Sequence, residues 1–301
     1  MRLFDLHCDT LYEWYRDHGS LFSGNTHVLP EKGDLFVSYI QVFAAWISDD
    51  VRGDAAWERC LSMLRLLQDA NRERPRHITT GEDLRVLPSA SCVALAAVEN
   101  GAALGGDDKR IAILAKMGVK YITITWNGEN ELGYGSLSGS EKGLKPFGKT
   151  AVREMERRKI VPDVSHLNER GFWDVAEICE RPFIASHSLS RAVQSHPRNL
   201  TDAQFDEIVR RKGLVGLSFA KAHLGEQSFE RIERHLVHYL SRGGADTVAF
   251  GGDLDGTKLP SEWNGTEVFL RLQEHFLKKG YSETLLDKIF YKNALEFFTK
   301  L

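Results

Sequence analysis

The sequence predicts an α/β chain folded as a (β/α)8 TIM barrel, a single catalytic barrel domain over residues 1–301, and three observations carry that expectation. Short apolar runs alternate with helical stretches from end to end, each run stopping at a turn or polar residue. Eight such runs follow one another without a low-complexity linker, which favours parallel strands joined by right-handed crossovers and closed on themselves. The length of 301 residues suits one such unit, since the architecture typically takes about 250 residues. No GxGxxG follows the first run, which argues against an open dinucleotide-binding sheet.

In chain order the strand runs are RLFDLH (2–7), LFVSYIQVFA (35–44), CVALAAVE (92–99), KYITITW (120–126), IVPDVSH (160–166), PFIASH (182–187), GLVGLSF (213–219) and TVAFGGD (247–253). Between them, 55–70, 107–117, 147–158, 169–178, 202–211 and 229–242 carry apolar residues at helical spacing with charge between, the pattern of helices that cover a barrel. Two segments lack a regular pattern, 21–34 and 128–146. Both follow strands, or the first helix after one, so they are placed as walls over the barrel mouth. The second, glycine-rich, reads more readily as a mobile loop than as a lid.

Composition excludes several classes. Hydrophobic residues at 42% and charged residues at 27% supply a sizeable core and leave no case for disorder. A net charge of -3, with Lys and Arg scattered, gives no field able to neutralise several phosphates, so nucleic acid is not an expected partner. The densest basic run, REMERRK (153–159), alternates with acids and reads as the solvated face of a helix. Cys8, Cys60, Cys92 and Cys179 stand far apart without a C-x-x-C pair, as in a reduced cytosolic protein. MRLFDLHCDT enters structure at once without a signal-type segment, and no apolar run approaches about 18 residues, so no membrane association and a cytoplasmic location are expected.

The side chains with chemistry fall at one end of the runs. His7 and Asp9 close the first, Glu99 the third, His166 the fifth, His187 the sixth and Asp253 the eighth, and barrel enzymes build their sites at the C-terminal ends of their strands. Alternation points His7 and Asp9 the same way and Cys8 back toward the helices. Any one such His is more often plain structure than a ligand. Three imidazoles and three carboxylates converging in one mouth, however, would be badly desolvated and mutually repulsive without cations. Mixed His and carboxylate donors suit zinc best, although manganese, cobalt or iron could use them. Two cations explain the donor count better than one, with Glu99 able to bridge them.

Six stretches then resemble successive motifs of the membrane dipeptidase (renal dipeptidase) family: FDLHCDT, AAVENG, GLKPFGKTAVREMERRKIVPDVSHLNERG, PFIASHSLSRAVQSHPRN, GGDLDG and KNALEFF. The resemblance spans almost the whole chain and is densest from Gly143 to Asn199. It implies a metal-dependent hydrolase barrel with two zinc ions per chain, His7 and Asp9 on the first, Glu99 bridging, and His166 and His187 on the second. It further implies that Asp253 handles the catalytic proton and that Arg198, in HPRN, grips the terminal carboxylate of a small dipeptide, D-residues at the C-terminal position being tolerated. A guanidinium fork suits that role. Without the motif around it, Arg198 would read as a surface ion pair. The sequence departs from the family where many members place a histidine after the fourth strand, because Trp126 stands there. Trp126 then lines the pocket, and either the metals stabilise the oxyanion alone or a neighbour such as Asn127 or Asn130 supplies a donor.

The chemistry expected is hydrolysis by an activated water, with Asp253 acting as base and then acid. Two alternatives stand beside it: another dinuclear amidohydrolase acting on a cyclic amide, lactone or phosphoester, and a metal-loaded dipeptide-binding protein with weak turnover. The sequence also leaves room for a homodimer. Asp163 and Asp255 read as supporting or turn residues. His18, His27, His77, His196, His223 and His275 lack partners at metal spacing and read as surface or core residues, and His235 and His238, one turn apart, lack a carboxylate clamp.

Overall fold

Nine parallel strands, β1 (Arg2–Cys8), β2 (Ser38–Trp46), β3 (Ile78–Thr80), β4 (Cys92–Glu99), β5 (Val119–Thr123), β6 (Val161–Asp163), β7 (Ile184–Ala185), β8 (Leu214–Leu217) and β9 (Val248–Phe250), form the sheet of the computed structural model. It describes residues 1–17, 26–76, 78–81, 84–87 and 90–301. Eight strands close in the order β2-β1-β9-β8-β7-β6-β5-β4, with β4 returning to β2 along a ladder from Ile40–Val93 to Trp46–Glu99. This is the expected (β/α)8 barrel. The ninth, β3, was not foreseen. It pairs with Cys92 to Ala94, whereas β5 reaches only Ala96 to Glu99, so β3 occupies the lower part of an edge that β5 leaves open.

The covering helices are α1 (Thr10–Arg16), α2 (Gly53–Glu73), α3 (Lys109–Lys116), α4 (Pro146–Arg157), α5 (Glu169–Ile178), α6 (Asp202–Arg210), α7 (Lys221–Leu224), α8 (Phe229–Ser241), α9 (Val268–Lys278), α10 (Glu283–Asp287) and α11 (Asn293–Thr299). Local signals set their starts. Pro146 opens α4, and Thr201 and Gln204 close a reciprocal capping box at α6. Most strands stop sooner than expected: β6 ends at Asp163, β7 at Ala185 and β9 at Phe250, so His166, His187 and Asp253 stand on the loops beyond. The apolar run continues past each strand because the loop tops are also buried.

Two apolar layers result. Phe4, Leu6, Ile40, Val42, Val93 and Leu95 fill the barrel interior, together with Tyr291, Ala294 and Phe298 from the C-terminal helices. Leu3, Cys8, Phe43 and the buried helix faces form the outer layer. On β1 the register with β2 slips by one residue between Asp5, opposite Gln41, and Cys8, opposite Phe43. That bulge carries His7 inward although Leu6 before it already faces inward. The expected outcome for His7, Cys8 and Asp9 holds, but simple alternation is not its cause.

The glycine-rich 128–146 segment is tied down rather than free. Gly135 bridges Leu167, Ser136 N–H donates to the His166 carbonyl at 2.7 Å, and Asn168 Nδ2 donates to the carbonyls of Ser140 and Lys142. The segment thus braces the strand-end loop that carries His166. Of the 21–34 segment, residues 21–25 lie outside the described residues. From residue 26 onward it is anchored through His27 and Val28, whose N–H groups donate to the Asp255 carboxylate.

Candidate metal centre and substrate pocket

Glu99 ends β4 with its carboxylate at the centre of the barrel mouth, buried at 2% exposure. One oxygen, Oε2, lies 3.5 Å from His7 Nε2, while the other, Oε1, lies 2.9 Å from His166 Nε2 and 3.5 Å from His187 Nε2. Asp9 Oδ1 is 3.7 Å and Asp253 Oδ1 4.0 Å from His7 Nε2. The two imidazoles on the far side of Glu99 bring their Nε2 atoms within 2.9 Å of each other.

Hydrogen bonds behind the rings decide which nitrogen carries the proton. Tyr121 Oη gives its proton to the Leu6 carbonyl at 2.7 Å, so it accepts from His7 Nδ1 at 3.0 Å. Ser186 Oγ donates to Asp163 Oδ2 at 2.6 Å and therefore accepts from His187 Nδ1 at 2.8 Å. Asn127 Oδ1 can only accept, so His166 Nδ1 is its donor at 3.0 Å. With Nδ1 engaged as donor, each ring in its neutral form turns an Nε2 lone pair toward Glu99. Asp163 supports the arrangement, because its carboxylate also accepts from Thr123 Oγ1 and from the N–H groups of Ser165 and Ser186.

Such a set fits cations. His7 Nε2, Asp9 Oδ1 and Glu99 Oε2 are buried polar atoms without a hydrogen-bond partner, which is costly unless something else satisfies them. Donor atoms of His7, Glu99 and His187, and of His7, Asp9 and Asp253, cluster closely enough to share an ion. Protons show the same strain. Burial would lower His7, yet the charges of Glu99, Asp9 and Asp253 outweigh it and push its pKa up to about 10. Burial, aided by the Arg198 charge, lowers His166 to about 4. Burial, offset by His7 and reinforced by Glu99, raises Asp253 to about 7.

Backbone strain aims some of these groups. His166 and Asp253 adopt positive φ, 69° and 60°, a region that non-glycine residues avoid unless the surroundings hold them there. The Asp253 N–H donates to the His7 carbonyl at 3.2 Å. Asp255 turns away from the centre, accepting from Thr10 Oγ1 at 2.5 Å and from the His27 N–H at 2.6 Å. It is a turn anchor, as expected.

A cavity of about 440 Å³ opens above the centre, lined among others by Tyr12, Trp46, Trp126, Asn127, Arg198 and His223. That volume suits a small ligand. Tyr12, Trp46 and Trp126 form an edge-to-face aromatic series along one wall, with ring centroids 4.6 and 5.1 Å apart. Asn130 faces elsewhere and spends both amide protons on Asn100 Oδ1 and the Ile124 carbonyl, so it is not the spare donor. Arg198 is buried at 5% exposure, and among the described residues its guanidinium makes one hydrogen bond, a 3.5 Å contact to the His187 carbonyl. It is no surface ion pair. Sequence reasoning missed Tyr12, Trp46, His196 and His223 on this pocket, because Trp46, though it closes β2, is no metal donor and the others stand away from the strand ends. His196, two residues before Arg198, offered the only hint. His235 accepts from the Ser190 N–H and His238 pairs with Asp202, so they do not act as a ligand pair. His27 accepts from the Asp255 N–H and His275 pairs with Glu233; His18 and His77 lie outside the described residues.

The family model described as membrane dipeptidase (peptidase family M19) matches residues 1–301. The chain belongs to the membrane dipeptidase family. It superimposes on the crystal structure of a dipeptidase of metallopeptidase family M19 with a TM-score of 0.92 at 26% identity, covering 99% of this chain and 98% of that one. A metallopeptidase from Rhodobacter sphaeroides, crystallised with a phosphinate mimic of the dipeptide L-Ala-D-Ala, gives a TM-score of 0.91 at 27% identity over 99% and 98% of the two chains. Among curated sequences, an uncharacterised protein of Klebsiella pneumoniae encoded in the pqqA 5' region is 31% identical over 80% of this chain and 94% of its own length. The dipeptidase tcpJ of Claviceps purpurea is 28% identical over 70% of this chain and 52% of its own. As a membrane dipeptidase relative, the chain is a metal-dependent hydrolase of peptide bonds acting on dipeptide-like substrates. Among the described residues, no helix is long and apolar enough to cross a membrane.

Proposed function

We propose that this enzyme hydrolyses small dipeptides, including those with a C-terminal D-residue, at a centre of two zinc ions held by His7 and Asp9, by His166 and His187, and by Glu99 between them. The observation that carries this reading is the division of the Glu99 carboxylate, one oxygen toward His7 and the other toward His166 and His187. When bound, the metal pair supplies Lewis-acid polarisation and lowers the pKa of water. Asp253, raised to about 7, is suited to accept a proton near neutral pH and return it to the leaving amine. Trp126 and Trp46 exclude water from one wall. Asn127 holds the His166 ring by its carbonyl oxygen and lines the substrate pocket.

Arg198 reads the substrate carboxylate in this proposal. A buried guanidinium with a single long hydrogen bond among the described residues has donors to spare and a desolvation cost that an anion offsets. The L-Ala-D-Ala mimic bound by the Rhodobacter sphaeroides structure supports the substrate class. The four cysteines, all buried and unpaired, support a reducing, cytoplasmic setting. The test pairs a free-acid dipeptide with its C-terminal amide, each in L,L and L,D form. Wild type is expected to prefer the acid, and Arg198→Ala to raise KM roughly ten- to a hundredfold while metal content stays unchanged. Equal hydrolysis of acid and amide by wild type refutes the carboxylate reading.

A further inference from the structure

Three aromatic rings stand half-buried on one side of the substrate cavity: Tyr12 on α1, Trp46 at the end of β2 and Trp126 beyond β5. Interplanar angles of 83° and 78° set them edge to face, and Trp126 continues the series to the ring of His166, 6.3 Å away. Leu137, 49% exposed on the 128–146 segment, adds an aliphatic edge to the same cavity. Aromatic residues that serve the core of this chain, such as Phe43 and Tyr121, are fully covered. These three are not, so apolar surface is held open beside a polar donor set, an arrangement that the apolar surface of a ligand relieves.

Sheet order places this wall across the mouth from Arg198. Round the closed barrel, β7, beyond which the His187 carbonyl meets the guanidinium, lies four strands from β2 in either direction. A dipeptide held by its carboxylate at Arg198 therefore extends its other residue past Glu99 toward Trp46. The charged groups along the wall are already taken. Glu13, beside Tyr12, has its two carboxylate oxygens on Arg16 at 3.1 and 2.5 Å, and Asp255 is held by Thr10 and the His27 N–H. Among the described residues that line the cavity, Arg198 is the one Arg or Lys. With neither a spare acid nor a cation, the wall offers ring faces and edges instead, which suit an apolar and above all an aromatic side chain.

We propose that Tyr12, Trp46 and Trp126 form the pocket for the side chain of the substrate's N-terminal residue and give the enzyme a preference for a large apolar residue there. The inference rests on the dipeptidase reading above, and on Arg198 for the direction in which the substrate lies, and it deepens that reading by naming the substrate class. Trp46 is the cleaner probe of the wall. Its ring meets those of Tyr12 and Trp126, whereas Trp126 also faces His166, so a change there could move a proposed metal ligand.

The test measures kcat/KM on two dipeptide series, Xaa-Ala and Ala-Xaa, with Xaa as Ala, Leu, Phe, Lys or Glu and the C-terminal residue in both L and D form. Wild type is expected to favour Phe-Ala over Ala-Ala roughly ten- to a hundredfold, the scale of burying one large apolar side chain, and to gain nothing from Lys or Glu at that position. Across the Ala-Xaa series the spread is expected to stay within about threefold. Trp46→Ala should bring the Phe-Ala to Ala-Ala ratio within about threefold, while Trp46→Phe, which keeps a ring, should retain most of the preference. Metal content and thermal melting serve as controls, and Tyr12→Ala on the surface of α1 carries the comparison if Trp46→Ala does not fold. A wild-type enzyme indifferent to the N-terminal residue overturns the proposal, as does a preference that follows the C-terminal residue instead or a ratio that survives removal of the ring. If wild type cleaves no dipeptide at all, the dipeptidase reading fails and takes this one with it. If dipeptides are cleaved but the N-terminal series is flat, only the assignment of the aromatic wall falls.

Discussion

Asp253 differs from the proposed ligands in what its removal should cost. It sits 4.0 Å from His7 Nε2 at the edge of the donor set, and Asp253→Asn keeps its shape while deleting the base. Turnover is expected to fall by about two to four orders of magnitude, with metal content by elemental analysis largely intact. Normal turnover would move suspicion to Asp255, although its contacts with Thr10 and the 26–28 backbone already occupy it. His166→Ala or His187→Ala should lose one metal per chain and nearly all activity. Wild-type stoichiometry in both would mean that the second metal position was misassigned. The proposed ligand residues were legible from their places at the ends of apolar runs. The proton positions were not, since they depend on Tyr121, Ser186 and Asn127, which come from other strands and loops.

At the scale of elements, the loop after β9 shows how tightly the centre is assembled. A methyl group at Gly256 would overlap both Asp9 Oδ2 and Asp253 Oδ1, so only glycine lets β1 and the β9 loop bring those carboxylates together. Gly256→Ala is expected to lower kcat/KM about a hundredfold, the scale of a 1 Å misplacement, with circular dichroism and melting temperature close to wild type. Unchanged kinetics would show that the two carboxylates need not be so near. The β1 bulge belongs to the same scale. Periodicity in RLFDLHCD cannot reveal it, because the slip is defined only against Gln41 and Phe43 of the neighbouring strand. The glycine-rich segment is similar: its composition reads as mobile, while its bonds to the backbone of 166–168 and the Asn168 side chain exist only in the folded chain.

For the whole molecule, cations and stability should be linked through pH. Without metal, Asp253 is raised to about 7 by burial, and His7 is held at about 10 because the charges of Glu99, Asp9 and Asp253 outweigh its burial. Both folded values exceed the ordinary 3.8 and 6.5, so at these two groups the folded state binds more protons than the unfolded chain, whereas His166, lowered to about 4, works in the opposite sense between about 4 and 6.5. The contribution of the two raised groups to stability falls as pH rises, between about 4 and 7 for Asp253 and between about 6.5 and 10 for His7. Cations take the place of those protons. The metal-stripped protein is therefore expected to melt at lower temperature than the loaded one, and the gap should widen from about pH 5 to pH 8. Calorimetry with and without chelator measures it, and parallel curves would show that the donors do not depend on cations.

The sequence by itself determined the barrel class, since eight apolar runs alternating with helical stretches admit few closed arrangements, and it placed the proposed ligands at one end of those runs. It also determined the family, through motifs dense enough around DVSH, ASHS and HPRN to be specific. Only the tertiary structure decided which atoms meet. The shared Glu99 carboxylate, the Nδ1 partners that turn each Nε2 toward it, and the burial of Arg198 across the mouth from Trp46 all join residues from different parts of the chain. Local propensity and periodicity act within one element, whereas desolvation and hydrogen bonding between elements exist only once the strands have closed.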